Sequence, residues 1–126
     1  MSIDTPPIRI FEVGPRDGLQ NESEILPVEQ RVHLIERLID AGARDIEVGS
    51  FVHPRWVPQM AASDEVFCQL EPREDVNYWA LVPNMRGLER ALDVGAKHLA
   101  FFISASETHN HKNLNRGISE SLDELR

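Results

Sequence analysis

The chain has a single cysteine, Cys68, which excludes an internal disulfide and fits a reducing compartment. It is also short of basic residues: 13 Lys and Arg stand against 21 Asp and Glu, a formal net charge of −8. That balance argues against a nucleic-acid or anionic-membrane partner, since both need a basic surface. A small anion can still be held by local Arg, Lys or metal. No stretch approaches the ~20 apolar residues that span a bilayer. The N-terminus, Met1-Ser2-Ile3-Asp4-Thr5-Pro6-Pro7, has no basic segment followed by an apolar one. No targeting peptide is visible, and a cytoplasmic location is expected. No Gly-x-Gly-x-x-Gly follows the first apolar run, which counts against dinucleotide binding.

What is present suits a globular domain. The 126 residues suffice for one sizeable core, and 41% hydrophobic with 27% charged residues separates the chain from disordered ones. Residues 1–7 are polar with two prolines and are expected to form a flexible tail, with 8–126 as the domain. Ile8 to Val13 reads as a first strand. Val28, Val32, Ile35, Leu38 and Ile39 recur at helical spacing, with Pro27 at the start and Gly42 suited to a left-handed cap. Asp45 to Val48 reads as a second strand. The loop from Gly49 to Gln59 has no period and is long enough to be functional. Ser63 is expected to cap a second helix, with Asp64 and Glu65 in its first turn and Cys68 as ordinary packing. Tyr78 to Val82 reads as a third strand, and Asn84 can cap a third helix that Gly95 ends. His98 to Ile103, nearly all apolar, predicts a buried parallel fourth strand. Ser104 to Gly117 reads as a polar loop, and Ile118, Leu122 and Leu125 open a fourth helix.

Four alternations of strand and helix point to a parallel βα array. A faint repeat agrees: Asp40-Ala41-Gly42-Ala43-Arg44-Asp45-Ile46 against Asp93-Val94-Gly95-Ala96-Lys97-His98-Leu99. A barrel and a doubly wound sheet would both show this pattern.

One stretch stands apart: Val13-Gly14-Pro15-Arg16-Asp17-Gly18-Leu19-Gln20-Asn21-Glu22. It presents a cation and a carboxylate at the end of the first strand. Pro15 fixes its own φ and biases Gly14 toward extended geometry, while Gly14 and Gly18 are expected to supply unusual backbone angles. A bare Arg-Asp pair is most often a surface ion pair of little worth. The ten-residue string is far more specific. It resembles the first-strand signature of the hydroxymethylglutaryl-CoA lyases, a branch of the metal-dependent acyl-CoA lyase and synthase superfamily. The resemblance continues at Glu47-Val48-Gly49-Ser50-Phe51-Val52, at Pro54-Arg55-Trp56-Val57-Pro58-Gln59-Met60, at Val82-Pro83-Asn84, at Ala105-Ser106-Glu107 and at Lys112-Asn113-Leu114-Asn115.

The resemblance implies an α/β fold, the N-terminal half of a (β/α)₈ TIM barrel. Such a barrel takes about 250 residues, and four βα units make half of one. It implies cleavage of 3-hydroxy-3-methylglutaryl-CoA to acetyl-CoA and acetoacetate, in leucine breakdown and ketone-body formation. The implied partners are a small acyl-CoA substrate and, in the full-length enzyme, a second copy in a homodimer. A Claisen-type synthase is the nearest rival, but those usually show Leu-Arg-Asp-Gly after a Thr, whereas Gly14-Pro15 precedes Arg16 here. A lyase for another 3-hydroxyacyl-CoA and a non-catalytic half-barrel are the other readings. By itself the 126-residue chain is expected to have no measurable lyase activity.

Arg16-Asp17, Glu47 with Ser50, Asn84, and Ser104 to Glu107 all follow or end an expected strand, where βα barrels carry their chemistry. Asp17 is implied as one carboxylate ligand of Mg²⁺ or Mn²⁺, hard cations that prefer oxygen; otherwise it is a loop Asp capping backbone amides. Arg16 is implied to bind substrate and to stabilise the enolate that carbon–carbon cleavage leaves. Glu47 is implied to orient groups or assist proton transfer; an interior carboxylate paired with a cation is the alternative. Glu12, with Ile8 and Ile10, is expected to face the interior, where it would need a partner. Gln20, Ser50, Asn84 and Ser104 are expected substrate contacts, with loop hydrogen bonding as the alternative. Lys112-Asn113 either meets the CoA phosphates or orders its loop. The family's His-x-His metal pair and catalytic cysteine lie in sequence beyond residue 126, so His109, His111 and Cys68 are not read as theirs. His33 and His98 are read as surface or core fillers.

Overall fold

The computed structural model describes residues 6–126; residues 1–5 of the expected N-terminal tail lie outside the described residues. Four parallel strands form one sheet in chain order: β1 (Phe11–Glu12), β2 (Asp45–Ser50), β3 (Asn77–Leu81) and β4 (His98–Ala100). Helices follow each strand: α1 (Val28–Asp40), α2 (Ser63–Gln69), α3 (Met85–Asp93), then α4 (Glu107–Leu114) and α5 (Ile118–Leu125). Spatial order equal to chain order is the arrangement of a barrel wall, and it resolves the choice between barrel and doubly wound sheet. No helix among the described residues is long and apolar enough to cross a membrane.

Alternation along β2 sorts the two faces of the sheet. Ile46 and Val48 pack into a core with Val32, Ile35 and Ile39 of α1 and with Val66 and Leu70 around α2. Burying one such aliphatic side chain is worth about 1.5–3 kcal/mol, so this contact fixes α1 and α2 to one face. A second cluster joins Phe51, Ala80, Val82, Ala91 and Ala96 under α3. The opposite face carries Asp45 and Glu47, both buried. Phe11 and Trp79 also meet, edge to face at 5.1 Å.

Both chain ends of the sheet depart from expectation. Only Phe11 and Glu12 of the first run pair with β2; Ile8 and Ile10 are 93% and 77% exposed rather than interior. No strand flanks the outer side of β1 among the described residues, so nothing prolongs it. β4 stops at Ala100 and is half-buried, because it too is an edge. The segment read as a polar loop contains α4. Its N-cap Ser106 accepts from the His109 amide at 3.3 Å, and Asn115 closes it in the left-handed region at φ 54°. Asn110 anchors it: fully buried, it donates to Ser121 Oγ at 2.8 Å and accepts from the Ser104 amide at 3.0 Å. A helix held by a buried amide leaves no apolar period to read. Gly42 and Gly95 do take the left-handed conformation at helix ends, at φ 106° and 79°. Cys68 lies on α2 as expected, but exposed rather than packed.

Ser63 does not cap α2; Ala62 does, at φ 57°. The Ser63 hydroxyl is instead fully buried between β2 and the loop. It donates to Met60 O at 2.7 Å and accepts from the Ser50 amide and from Arg31 Nη2, both at 3.2 Å. Arg31 of α1 is buried as well, and Nη1 donates to Ala61 O at 2.6 Å. Burial pulls its pKa below the ordinary guanidinium value. A Cβ on Gly49 would stand 2.6 Å from Ser63 Oγ, so only glycine lets β2 pass this group. Gly49→Ala is expected to destabilise the fold by roughly 1–3 kcal/mol, read as a lower denaturant midpoint.

At the opposite end of β2, the buried Asp45 carboxylate accepts from Arg9 Nη2 at 2.7 Å, Asn77 Nδ2 at 2.9 Å and Trp79 Nε1 at 3.2 Å. The Arg9 hydrogen bond, then that of Asn77, holds its pKa at about 2. A depressed carboxyl pKa adds stability above the ordinary value near 4, and that stability fades as the pH falls toward 2. Asp45→Asn is therefore expected to flatten the loss of stability between about pH 4 and pH 2, as followed by melting temperature against pH.

Candidate active site

The signature string folds as one turn of π-helix, Gly14–Gly18, directly after β1. The Val13 carbonyl accepts from three amides: Arg16 at 3.1 Å, Asp17 at 2.7 Å and Gly18 at 3.2 Å. Pro15, buried and lacking an N–H, starts the turn without leaving a donor unpaired. Neither Gly14 nor Gly18 has a positive φ, so the unusual angles expected of them do not occur. Gly14 lies instead against the tip of the Glu12 side chain. Its amide donates to Glu12 Oε1 at 2.7 Å, and a Cβ there would stand 2.9 Å from that oxygen. Glu12 thus satisfies its carboxylate on local backbone.

The turn brings Arg16 over the C-terminal end of β2. Arg16 Nε donates to Glu47 Oε1, and Nη1 donates to Asp17 Oδ1 at 3.2 Å and to Gln20 Oε1 at 3.3 Å. The Arg16 and Glu47 side chains are only 17% and 5% exposed, whereas Asp17 is 54% exposed. A carboxylate as enclosed as Glu47 needs a cation, and a planar guanidinium gripped on two sides has little freedom left. Nη2 has no protein acceptor among the described residues.

Arg16, Gln20 and Ser50 line a cavity of ≈ 680 Å³ together with Trp56, Lys112 and Asn113. Pockets of about 300–1,000 Å³ are those that take small molecules. Ser50 is buried, and its hydroxyl accepts from the Val52 amide at 3.4 Å. Asp17 and Glu47 pair with Arg16 and do not themselves line the cavity. Asn84 and Ser104 are not part of that wall. Asn84 Oδ1 accepts from the Gly87 amide at 2.9 Å, capping α3, and the residue lines a neighbouring cavity. Ser104 Oγ accepts from the Ser106 amide at 3.2 Å, at the entry to α4.

Two contributions were not legible in the sequence. Trp56, 66% exposed, forms a wall of the cavity from the aperiodic loop. His111 reaches the same cavity from α4, while His109 Nε2 is engaged with Asn113 Nδ2 at 2.8 Å. Both depend on how loops fold back over the sheet, and no local pattern reports that. Nothing local in the sequence marks Arg31 as a buried cation either.

A hard divalent cation at this end of the sheet would find one suitable donor in Asp17. One of its oxygens meets Arg16, and the other has no protein donor among the described residues. No group of three His, Cys, Asp or Glu that could hold a metal converges among the described residues.

Comparison with known proteins gives the arrangement its relatives. The hydroxymethylglutaryl-CoA lyase of Pseudomonas mevalonii is 53% identical over 116 residues, covering 92% of this chain and 38% of that protein. The 3-hydroxy-3-isohexenylglutaryl-CoA/hydroxy-methylglutaryl-CoA lyase of Pseudomonas aeruginosa is 50% identical, covering 92% and 39%. The structure of an HMG-CoA lyase from Acinetobacter baumannii, in complex with coenzyme A and 3-methylmalate, superposes with a TM-score of 0.89 at 37% identity, covering 93% of this chain and 38% of that one. The chain thus spans less than two fifths of the length of these relatives. Its four strands and their helices match the N-terminal part of TIM-barrel structures of this kind. A family model described as HMGL-like matches residues 7–126, and with the signature turn, the strand order and these relatives in agreement, the chain belongs to the HMGL-like family.

Proposed function

We propose that the full-length protein carrying this chain is a carbon–carbon lyase that cleaves 3-hydroxy-3-methylglutaryl-CoA to acetyl-CoA and acetoacetate. The observation that carries the proposal is the Arg16 guanidinium, fixed by Glu47, Asp17 and Gln20, on a residue that lines a ligand-sized cavity. The reaction removes the proton of the tertiary alcohol and turns that C–O bond into a carbonyl. The adjacent C–C bond breaks, and its electron pair passes into the thioester as an enolate, which is then protonated to acetyl-CoA. Charge grows on the thioester oxygen only as the bond breaks. A preorganised cation at that oxygen therefore lowers the barrier more than it strengthens substrate binding.

In this reading Arg16 is the group that meets the enolate oxygen, and Glu47 holds it in place. Glu47 also lies close enough to Arg16 to orient groups beside it. Gln20 and Ser50 supply polar contacts from the same wall. Asp17 would hold a divalent ion, Mg²⁺ or Mn²⁺, which when bound supplies Lewis-acid polarisation of substrate oxygens. Asn84 and Ser104 fit this scheme as supports of α3 and of the entry to α4 more directly than as substrate contacts. A role in leucine breakdown, a cytoplasmic location and a dimeric full-length enzyme belong to the same proposal. The Acinetobacter baumannii complex supports the acyl-CoA class of ligand. The Pseudomonas aeruginosa relative, named for an isohexenyl substrate as well, favours a second reading in which the substrate carries a larger 3-substituent.

Acetoacetate release from 3-hydroxy-3-methylglutaryl-CoA by the full-length protein tests the proposal, and no release with added Mg²⁺ or Mn²⁺ would remove it. Arg16→Gln is expected to lower kcat by about 10²–10³ with a smaller change in KM. Asp17→Ala is expected to abolish the metal-dependent part of turnover. Metal-dependent activity unchanged in that variant would take Asp17 out of the site.

A further inference from the structure

β2 breaks its own alternation just before the site. Glu47 pairs with Trp79 of β3 and Gly49 with the next residue, Ala80, so Val48 is an extra residue in the ladder, a β-bulge. Val48 packs into the core on the side of α1 and α2. Gly49 faces the same side, since a Cβ there would stand 2.6 Å from Ser63 Oγ and 3.5 Å from Arg31 Nη2. Two consecutive residues on one face shift every later side chain of the strand to the other face. Ser50 therefore lines the Arg16 cavity, on the face that also carries Glu47. Strict alternation from Glu47 onward would turn Ser50 toward the helices and away from the cavity. The bulge, and not the strand as such, makes Ser50 a residue of the site.

One buried polar group meets the bulge. The Ser50 amide donates to Ser63 Oγ at 3.2 Å, and Arg31 Nη2 donates to the same oxygen at 3.2 Å. Arg31 Nη1 donates to Ala61 O at 2.6 Å, which fixes the guanidinium from a second direction. Arg31 is buried, has no carboxylate partner among the described residues and keeps Nε unpaired. A buried cation in that condition costs stability, whereas a buried polar contact is well suited to fixing register. We infer that Arg31 is a positioning residue of the site: through Ser63 it holds the β2 bulge, and the bulge presents Ser50 to the substrate. The inference rests on the lyase reading above, in which Ser50 is a polar contact to the acyl-CoA. Arg31 itself does not line the cavity and acts only through Ser63 and Ser50.

The test compares the full-length protein with Arg31→Met, Ser63→Ala and the two together, and with Ile39→Val, which trims the core contact of the same helix. Methionine fills much of the same space and removes an uncompensated charge, so Arg31→Met is expected to fold. Each of the two single variants is expected to raise KM for 3-hydroxy-3-methylglutaryl-CoA about tenfold, with kcat within about threefold, as loss of a binding contact does. The double variant is expected to match the singles, because the two residues act in one chain of contacts. Hydrogen–deuterium exchange of the Ser50 amide is expected to quicken about tenfold, while that of Ile46, in the regular part of β2, stays within about twofold. Ile39→Val is expected to leave KM and Ser50 exchange within about twofold. A merely structural role gives a different result: kcat falls with the folded fraction, KM is unchanged, and exchange quickens along the whole of β2. That result, an unchanged KM, or additive losses in the double variant would overturn the assignment. Should Arg31→Met not fold, Ser63→Ala decides by the same two measurements. A wild-type protein that does not cleave the substrate removes the lyase reading, and exchange then decides alone: selective quickening at Ser50 upholds the hold of Arg31 on the bulge, and its absence overturns it.

Discussion

The ion pair between Arg16 and Glu47 ties the signature turn to the sheet. Glu47 lies on β2, whose six residues are all buried, and its carboxylate is shielded from water. An enclosed carboxylate without a cation would be strongly unfavourable, and removing one partner of such a pair leaves the other uncompensated. The pairing therefore draws the turn after β1 down onto the end of β2. In doing so it places Arg16 at the wall of the cavity. The π-turn makes this possible, because three amides gathered on the Val13 carbonyl leave Arg16 no slack in its backbone.

A second arrangement supports β2 from behind. Ser63 Oγ takes the Ser50 amide, Arg31 takes Ser63 and the Ala61 carbonyl, and Gly49 admits their close approach. The loop between β2 and α2, which carries Trp56, is thus anchored at its far end by a buried cation. Arg9 and Asp45 perform a comparable task at the other end of the strand. Polar groups at both ends of β2 are paired, apart from Arg31 Nε, which is buried with no partner. The strand can then serve as a fixed base for the site.

Charge is distributed unevenly in this acidic chain. Neither cavity is lined by Asp or Glu, although these residues outnumber Lys and Arg. The carboxylates nearest the site, Asp17 and Glu47, stand beside Arg16 rather than in the cavity wall. An anionic ligand can therefore approach local positive charge without meeting negative groups at the wall. This is compatible with a net negative protein because exposed charges are screened within about 10 Å.

Much of the fold could be read from local pattern. α1 shows its helical period, Gly42 and Gly95 mark helix ends, and Asn84 caps α3, since each of these depends on neighbours along the chain. The signature string and its family resemblance likewise located Arg16 and Asp17 directly after β1, whereas Glu47, expected at the end of the second strand, lies within β2, which runs on to Ser50. Local pattern failed where long-range contact replaced it. α4 is held by the buried Asn110, Ser63 serves the sheet instead of its helix, and Ile8 and Ile10 remain exposed because no strand beyond β1 pairs with them among the described residues. The sequence by itself determined the four strands, four of the five helices, their order and the place of the signature turn, because periodicity, capping and turn chemistry act over a few residues. Only the tertiary structure decided that Arg16 meets a carboxylate 31 positions away, and that α4 and the Trp56 loop close over it. Those contacts follow from the parallel register of β1 against β2 and from how loops return across the sheet, which no short stretch of chain encodes.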